Sequence, residues 1–358
     1  MLNKIIILTD GIRGHYHQSL GIANWLKRLS NAEVETVSVP KFKGVKRFLY
    51  LKIFARFIKF NALKWLELVN FSYKDLKADL FISAGSSAAP FCLALAKVYN
   101  AKCAVVMTPS VLGVKPFDFA IIPEHDNKNL NLNNALITLG APNHIYKPEL
   151  KAQGAKFFSN LKFNEAQASQ SLKIIAVLIG GSDANYDVNE AWAEHVINNL
   201  LSAAEACNAE LLITTSRRTG RQVDDKIESI IHNNKHVQYF LPASKYPDVN
   251  PVPAMLGLAT HVIATEDSVS MTSEAVTAGF KVGLLRTDKQ GGLLAKIKNL
   301  LGYGTSRFDK LFDKFIERGM VIDLGQGDFE NFVKADSQVN NESFNEAERA
   351  ARFILDNL

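Results

Sequence analysis

Lys4-Ile5-Ile6-Ile7-Leu8-Thr9-Asp10-Gly11-Ile12-Arg13-Gly14-His15 is an aliphatic run of strand length that stops at an acid and a glycine. Four consecutive branched or leucyl side chains bounded by turn formers predict a strand buried on both faces. The run is too short for the apolar core of a secretory leader, and no cleavage pattern follows it. Beyond the turn, Leu20, Ile22, Ala23, Trp25 and Leu26 recur near helical spacing between Gln18 and Arg28, and Glu33 to Val39 returns as an alternating strand. Strand, glycine turn, helix and strand form a βαβ unit, which requires a parallel sheet with helices on its faces.

The same punctuation continues outward. Ala78 to Ser83 predicts a strand running into Ala84-Gly85-Ser86-Ser87, then a helix through Ala94 and Val98, then strands Cys103 to Met107 and Phe119 to Ile122. Between Tyr146 and Leu172 the pattern turns polar, so residues 151–172 are read as a linker. Strand and turn restart at Lys173-Ile174-Ile175-Ala176-Val177-Leu178-Ile179 and Gly180-Gly181-Ser182, with a helix from about Asn189 to Cys207. Glu210 to Thr215, Val237 to Phe240, His261 to Ala264 and Val282 to Leu285 supply further strands. A chain of 358 residues exceeds one ordinary core, and two α/β domains are expected, 1–150 and 173–340. Residues 341–358 carry Phe344, Ala347, Ala350, Ala351, Ile354 and Leu355 on one side of a predicted helix.

Composition narrows the function classes. A 47% apolar, 22% charged chain is globular, and three scattered cysteines give no disulfide framework. No Cys-x-x-Cys or His-Glu-x-x-His spacing points to a metal, so neither a metal nor a resident cofactor is expected. Nowhere do 18 apolar residues run together, which argues against a membrane-spanning helix.

Each glycine turn follows a strand and opens a helix, where the backbone can approach a ligand closely and helix N–H groups attract anions. Such a turn alone is equally a tight connection; three in two domains favour a phosphate-bearing ligand. Arg13, Gly14, Gly85, Ser86 and Ser87 are the candidates in the first domain. In the second, Glu266, Asp267, Ser268, Ser270, Thr272, Ser273 and Glu274 crowd one strand-to-helix turn. Hydroxyls and helix amides there can hold a diphosphate, and Glu274 can accept hydrogen bonds from vicinal ribose hydroxyls; an N-cap with acids in the first turn is the plainer reading. Ser216, Arg217 and Arg218 follow another strand, where guanidinium groups can neutralise a departing diphosphate or simply face solvent.

These stretches also resemble a family. Thr265 to Ala275, Asp10 to His15 with Gln18-Ser19-Leu20-Gly21, Pro123-Glu124-His125-Asp126, Gly180-Gly181-Ser182 and Thr214 to Thr219 are similar to the elongated-mitochondria fission-factor family over most of the chain. Bacterial members are associated with glycosyl transfer in lipopolysaccharide or other glycolipid assembly, and plant members with mitochondrial division. More distantly, the layout resembles the GT-B glycosyltransferases, such as the enzyme that adds N-acetylglucosamine to a lipid-linked peptidoglycan precursor. Its glycine turn ending in Gly-His matches Gly14-His15, its Gly-Gly-Ser matches Gly180-Gly181-Ser182, and its Ser-Glu matches Ser273-Glu274; Asp10 and Arg13 stand where that family has glycines. The resemblance implies two Rossmann-type domains facing across a cleft, with the C-terminal helix returning to the first. It also implies His15, with Asp10 beside it, near the acceptor, and Gly180, Gly181, Ser182 and Glu274 on a nucleotide-sugar donor. As a neutral imidazole His15 can take a proton from an acceptor hydroxyl, although a histidine at a helix start also caps or packs.

Lys41 to Leu66 holds eight Lys/Arg and no Asp/Glu, interleaved with seven aromatic residues. On an ideal α-helix Leu49, Tyr50, Ile53, Phe54, Phe57 and Phe60 form a stripe, and Lys52, Arg56 and Lys59 line another face. This is the pattern of an interfacial helix on anionic lipid, with Phe48, Lys52, Phe54, Arg56, Phe57 and Lys59 as contacts; a core-packed helix is the alternative, and no nucleic-acid motif accompanies it. The expected function is transfer of a sugar from a nucleotide-sugar to a lipid-linked acceptor, on the cytoplasmic face of the membrane. The rivals are a sugar-nucleotide epimerase on the same fold and a non-catalytic membrane adaptor.

Overall fold

The computed structural model describes residues 2–124, 132–159, 172–289, 306–335 and 344–358. It divides into two units, residues 1–144 with 345–358 and residues 145–344.

In the first unit β1 (Lys4–Thr9), β2 (Glu33–Ser38), β3 (Leu80–Ala84), β4 (Lys102–Val106), β5 (Phe119–Pro123) and β6 (Ala135–Thr138) form one sheet in the order β2-β1-β3-β4-β5-β6, all parallel. The interior strands are buried on both faces, which explains their unbroken aliphatic runs. Helix α1 (Arg13–Ser30) buries Ile22, Ala23 and Leu26 on one face of the sheet and ends at Asn31 in the left-handed conformation, whose N–H donates to Lys27 O. On the opposite face lie α2 (Gly44–Phe48), a π-helical turn (Leu49–Ile53), a 3-10 stretch (Phe54–Lys59), α3 (Ala62–Leu68) and the apolar α4 (Gly85–Tyr99).

The second unit opens with α5 (Lys147–Phe157), which covers part of the segment read as a linker; residues 160–171 lie outside the described ones. Its sheet contains β7 (Lys173–Leu178), β9 (Ala209–Thr214), β10 (Val237–Leu241), β11 (His261–Thr265), β12 (Val282–Leu285) and β14 (Val321–Asp323), ordered β10-β9-β7-β11-β12-β14 and again all parallel. A short antiparallel pair, β8 (Tyr186–Asp187) with β13 (Asp288–Lys289), lies beyond the main sheet. Its described helices are α5, α6 (Glu190–Ala206), α7 (Arg221–Ile231), α8 (Val252–Leu258), α9 (Val269–Thr277), α10 (Ser306–Glu317) and α11 (Phe329–Lys334).

The final helix, α12 (Glu346–Asp356), belongs to the first unit, as expected of the C-terminal segment. Ala347, Ala350, Ala351 and Ile354 join the cluster of Ile22, Ala23 and Leu26, and the Glu346 carboxylate accepts the Leu139 N–H at 3.0 Å while pairing with Arg349 at 2.6 Å.

Helices α5 and α8 approach unusually closely. An ideal Cβ at Gly257 would lie 2.0 Å from Leu150 O, and one at Gly154 would lie 3.0 Å from Ala254 O. Both contacts are with backbone, so a methyl group cannot be accommodated by rotamer adjustment. Gly257→Ala is therefore expected to destabilise the second unit by about 1–3 kcal/mol, visible as a lowered unfolding midpoint in urea; an unchanged midpoint would mean that the two helices part without cost.

Candidate functional site

Open parallel sheets bind ligands outside the carboxyl ends of their strands, where the strand order reverses. In the first sheet the chain runs from β1 to β2 on one side and returns to β3 on the other, so the reversal lies between β1 and β3. In the second it lies between β7 and β11. The glycine turns and the acidic turn singled out in the sequence leave these strands, and the turn of Ser216, Arg217 and Arg218 leaves β9 beside β7.

Asp10 follows β1, and Gly85 follows β3 as the first residue of α4. His15 lies between them. Asp10 Oδ2 is 3.0 Å from His15 Nδ1, and Asp10 Oδ1 accepts the Ile12 N–H at 3.1 Å. The imidazole also lies against Gly85, where an ideal Cβ would lie 2.5 Å from His15 Cε1 and 2.8 Å from Nδ1. Gly85 is needed twice, since its φ of +75° is also left-handed. Burial would push the Asp10 carboxyl up, but hydrogen bonds from His15 and the Ile12 amide outweigh it and hold the group below its ordinary value. A ring proton on Nδ1 would be directed at this carboxylate and would leave Nε2 as the proton-accepting nitrogen.

Arg13 and Gly14 occupy the first turn of α1, and Ser86 Oγ accepts the Ser110 N–H at 2.9 Å. Lys41 was not singled out as a site residue. Its ammonium overhangs Gly11, 2.8 Å from an ideal Cβ, and brings a positive charge to the β1–α1 turn. His125 and Asp126 lie outside the described residues.

At the second reversal a buried carboxylate organises three turns. Asp267 Oδ2 accepts the Gly181 N–H at 2.7 Å and pairs with Arg218 Nη2 at 2.8 Å. Arg218 also donates to Asp267 O and Gly181 O, both at 3.1 Å. Gly180 donates its N–H to Thr265 Oγ1 at 2.7 Å, and its carbonyl accepts from the Thr219 hydroxyl. Neither glycine tolerates a side chain: an ideal Cβ on Gly180 meets Asp267 Oδ2 at 1.9 Å, and one on Gly181 meets the Arg218 backbone at 2.2 Å. Burial pushes the Asp267 carboxyl up, against the opposing pull of Arg218 and of hydrogen bonds from Thr265 and Gly181.

Several roles read from the sequence change with this geometry. Arg218 joins the protein's own turns together; Arg217, beside it, is exposed. Glu266 has no side-chain exposure. It pairs with Arg286 at 2.8 Å and accepts the Thr287 N–H at 3.0 Å. Arg286 also binds Asp323 at 2.7 Å, and these two acids, outweighing burial, raise its pKa. Thus each acid at the β11–α9 turn carries its own arginine, and neither presents uncompensated charge to an incoming anion.

Ser182 accepts the Val188 N–H at 2.9 Å and lies 3.1 Å from Asp187, fastening the loop after β7. Ser268 caps α9, Thr272 is buried with its hydroxyl donating to Ser268 O at 3.3 Å, and Ser273 and Glu274 are buried as well. Ser270 is the hydroxyl of this turn that remains half exposed beside the first helical amides. Ser216 Oγ accepts the Arg218 N–H at 3.1 Å. Thr219 and Thr265 stand within the motifs that carry the family resemblance but are not among the residues expected at the site, and Arg286 is in neither. The available signal was charge balance: one arginine immediately after a buried strand, with two consecutive acids in the turn of its neighbour.

Residues 13–358 match the family described as Mitochondrial fission ELM1. The chain belongs to this family. It is 28% identical over 302 residues to an uncharacterized protein of Rickettsia prowazekii, an overlap of 77% of this chain and 81% of that one. Among solved structures, the UDP-GlcNAc 2-epimerase of Neisseria meningitidis bound to UDP-GlcNAc aligns with a TM-score of 0.50 at 11% identity, over 99% of each chain. A Listeria monocytogenes structure assigned as a UDP-N-acetylglucosamine 2-epimerase aligns with a TM-score of 0.50 at 13% identity, over 99% of this chain and 95% of that one. These likenesses show the fold of this ELM1-family member: two Rossmann-type domains of the GT-B-like class.

The Asp10 carboxyl is lowered by folding, so its contribution to stability is complete above its unfolded value near 3.8 and is lost as pH falls through the lower folded value. Asp10→Asn should accordingly cost about 1–2 kcal/mol at neutral pH. The difference from wild type should shrink as pH falls through that lowered value. Urea unfolding measured across a falling pH series follows it; a pH-independent difference would show that the carboxylate charge plays no part.

Proposed function

We propose that this ELM1-family protein is a glycosyltransferase that moves a sugar from a nucleotide-sugar donor to a hydroxyl of a membrane-linked glycolipid, at the cytoplasmic surface of the membrane. The observation that carries the proposal is the Asp10–His15 pair, ordered at the strand reversal of the first sheet with its second ring nitrogen available as a base. The fold supports the choice of donor, since the Neisseria structure of similar fold is bound to UDP-GlcNAc.

In this reading the nucleotide diphosphate lies against the second domain. Gly180 and Gly181 let Asp267 and Arg218 pack close beneath the turn, while Ser270 and the first amides of α9 supply hydrogen-bond donors. Pairing of Asp267 with Arg218 and of Glu266 with Arg286 removes the repulsion that two acids would otherwise exert on phosphate. Glu274, one turn into the helix, is assigned to the ribose hydroxyls. His15 Nε2 takes the proton of the acceptor hydroxyl as its oxygen bonds to the anomeric carbon. The bond from that carbon to phosphate oxygen breaks, and the nucleoside diphosphate leaves with the electron pair. Asp10 holds the ring in the required tautomer and stabilises the imidazolium that forms. Arg13, Ser86, Ser87 and Lys41 are assigned to a phosphate of the acceptor. No metal or resident cofactor has a role in this scheme.

Two substitutions separate the assignments. His15→Ala should lower turnover about 10²–10⁴-fold with little change in nucleotide affinity, because proton transfer acts in the transition state. Glu274→Ala should weaken nucleotide binding by about 10–100-fold, the worth of a charge-assisted hydrogen bond, in a calorimetric titration. Full turnover in the His15 variant would remove it as the base. Interconversion of the sugar on its nucleotide without an acceptor would identify an epimerase.

A further inference from the structure

The basic aromatic segment does not form the continuous α-helix on which its apolar stripe was drawn. It runs as α2, the π-helical turn, the 3-10 stretch and α3, and each change of pitch rotates the side chains that follow. Leu51, Ala55 and Ile58 are buried in the core that includes Phe91 of α4, while Tyr50 and Phe54 pack beside them with ring centroids 6.3 Å apart. Phe54, expected among the membrane contacts, is therefore half-buried in the protein's own core.

With one side of the segment fixed against the protein, the opposite side holds Val45, Phe48, Phe57 and Phe60, which are 74%, 55%, 55% and 75% exposed. All eight basic residues between Lys41 and Lys64 are exposed as well, and no acid occurs from 41 to 66. The Lys59 ammonium lies 4.5 Å from the Phe60 ring centroid, so charge and aromatic surface share one patch. Exposed phenylalanines in water are unfavourable, and this many cations with no acid in the same stretch repel one another. A surface with hydrocarbon beneath anionic headgroups satisfies both at once. Among the described residues no helix is long and apolar enough to cross a membrane.

We infer that Val45, Phe48, Phe57 and Phe60 insert into the headgroup boundary of an anionic bilayer while Lys46, Arg47, Lys52, Arg56 and Lys59 contact its phosphates. Lys41 joins this surface to the chemistry: it begins the basic segment and overhangs Gly11 in the turn that carries Asp10. The docked bilayer would thus present a lipid headgroup at the edge of the Asp10–His15 site. This deepens the transferase reading by specifying how its acceptor is met, and it relies on that reading for the purpose of the contact, not for its existence.

The test is co-sedimentation of the full chain with vesicles of phosphatidylglycerol and phosphatidylcholine, against phosphatidylcholine alone, without nucleotide. Binding should favour the anionic vesicles at low salt. Phe57→Ser with Phe60→Ser should reduce partitioning at least about tenfold on those vesicles, as two exposed aromatic anchors are lost. Lys52, Arg56 and Lys59 changed to glutamine should lower it about fivefold per charge, removing much of the anionic preference. Both variants alter exposed side chains, and an unchanged circular dichroism melt confirms that the fold is intact. Failure of wild type to bind anionic vesicles, or binding indifferent to the phenylalanine changes, overturns the inference. So does tighter binding to a single-stranded polynucleotide than to vesicles. Calorimetry with nucleotide-sugars in the absence of lipid reports on the transferase reading separately, so either can fail alone.

Discussion

The second domain depends on the carboxylate of Asp267, buried where β11 gives way to α9. An ionised group in such a place is costly unless opposing charge and hydrogen bonds meet it. Arg218 and the Gly181 amide do so, and they arrive on the turns after β9 and β7. One carboxylate thereby fixes three strand ends relative to one another. It also explains why Gly180 and Gly181 must be glycines, since the carboxylate and the Arg218 backbone occupy the space that side chains would take. The acids of this turn are thereby paired within the protein, Asp267 with Arg218 and Glu266 with Arg286.

The first domain uses an acid at its strand reversal for another purpose. Asp10 is also buried, but its partner is His15, a side chain able to exchange a proton. Gly85 also meets the ring, so the imidazole lies between the turn after β1 and the start of α4, which follows β3. His15 itself stands in the first turn of α1, so a helix end and two strand-end turns together restrict its ring. The contrast follows from the partner: Asp267 meets a guanidinium that stays charged, and Asp10 meets an imidazole whose charge depends on pH.

Much of the architecture was legible because parallel strands buried on both faces must be aliphatic, and Ile5 to Leu8, Ile174 to Ile179 and Val282 to Leu285 declare themselves. The glycine turns were legible for the same local reason. Short edge strands such as Ala135–Thr138 and Val321–Asp323 were not, since a few residues at a sheet margin carry little periodicity. Helix Lys147–Phe157 was passed over because its polar composition hides a packing surface made of Leu150 and Gly154. The partners of Glu266 and Asp267 were also invisible, because Arg286 and Arg218 meet them through tertiary contact across strand order. The basic segment was misphased by its π and 3-10 turns, which no ideal helical wheel includes; its composition was legible, and the face it exposes was not.

The central claim is that the second domain holds a nucleotide-sugar at the β7–β11 reversal. Hydrogen–deuterium exchange of the full chain with and without UDP-, GDP-, dTDP- and CMP-sugars measures this directly, amide by amide. For a nucleotide-sugar that binds, the account predicts slower exchange in residues 179–183 and 266–275, with far smaller change at the opposite ends of the same strands. Protection confined to other segments, or none with any of the four nucleotides, would contradict it.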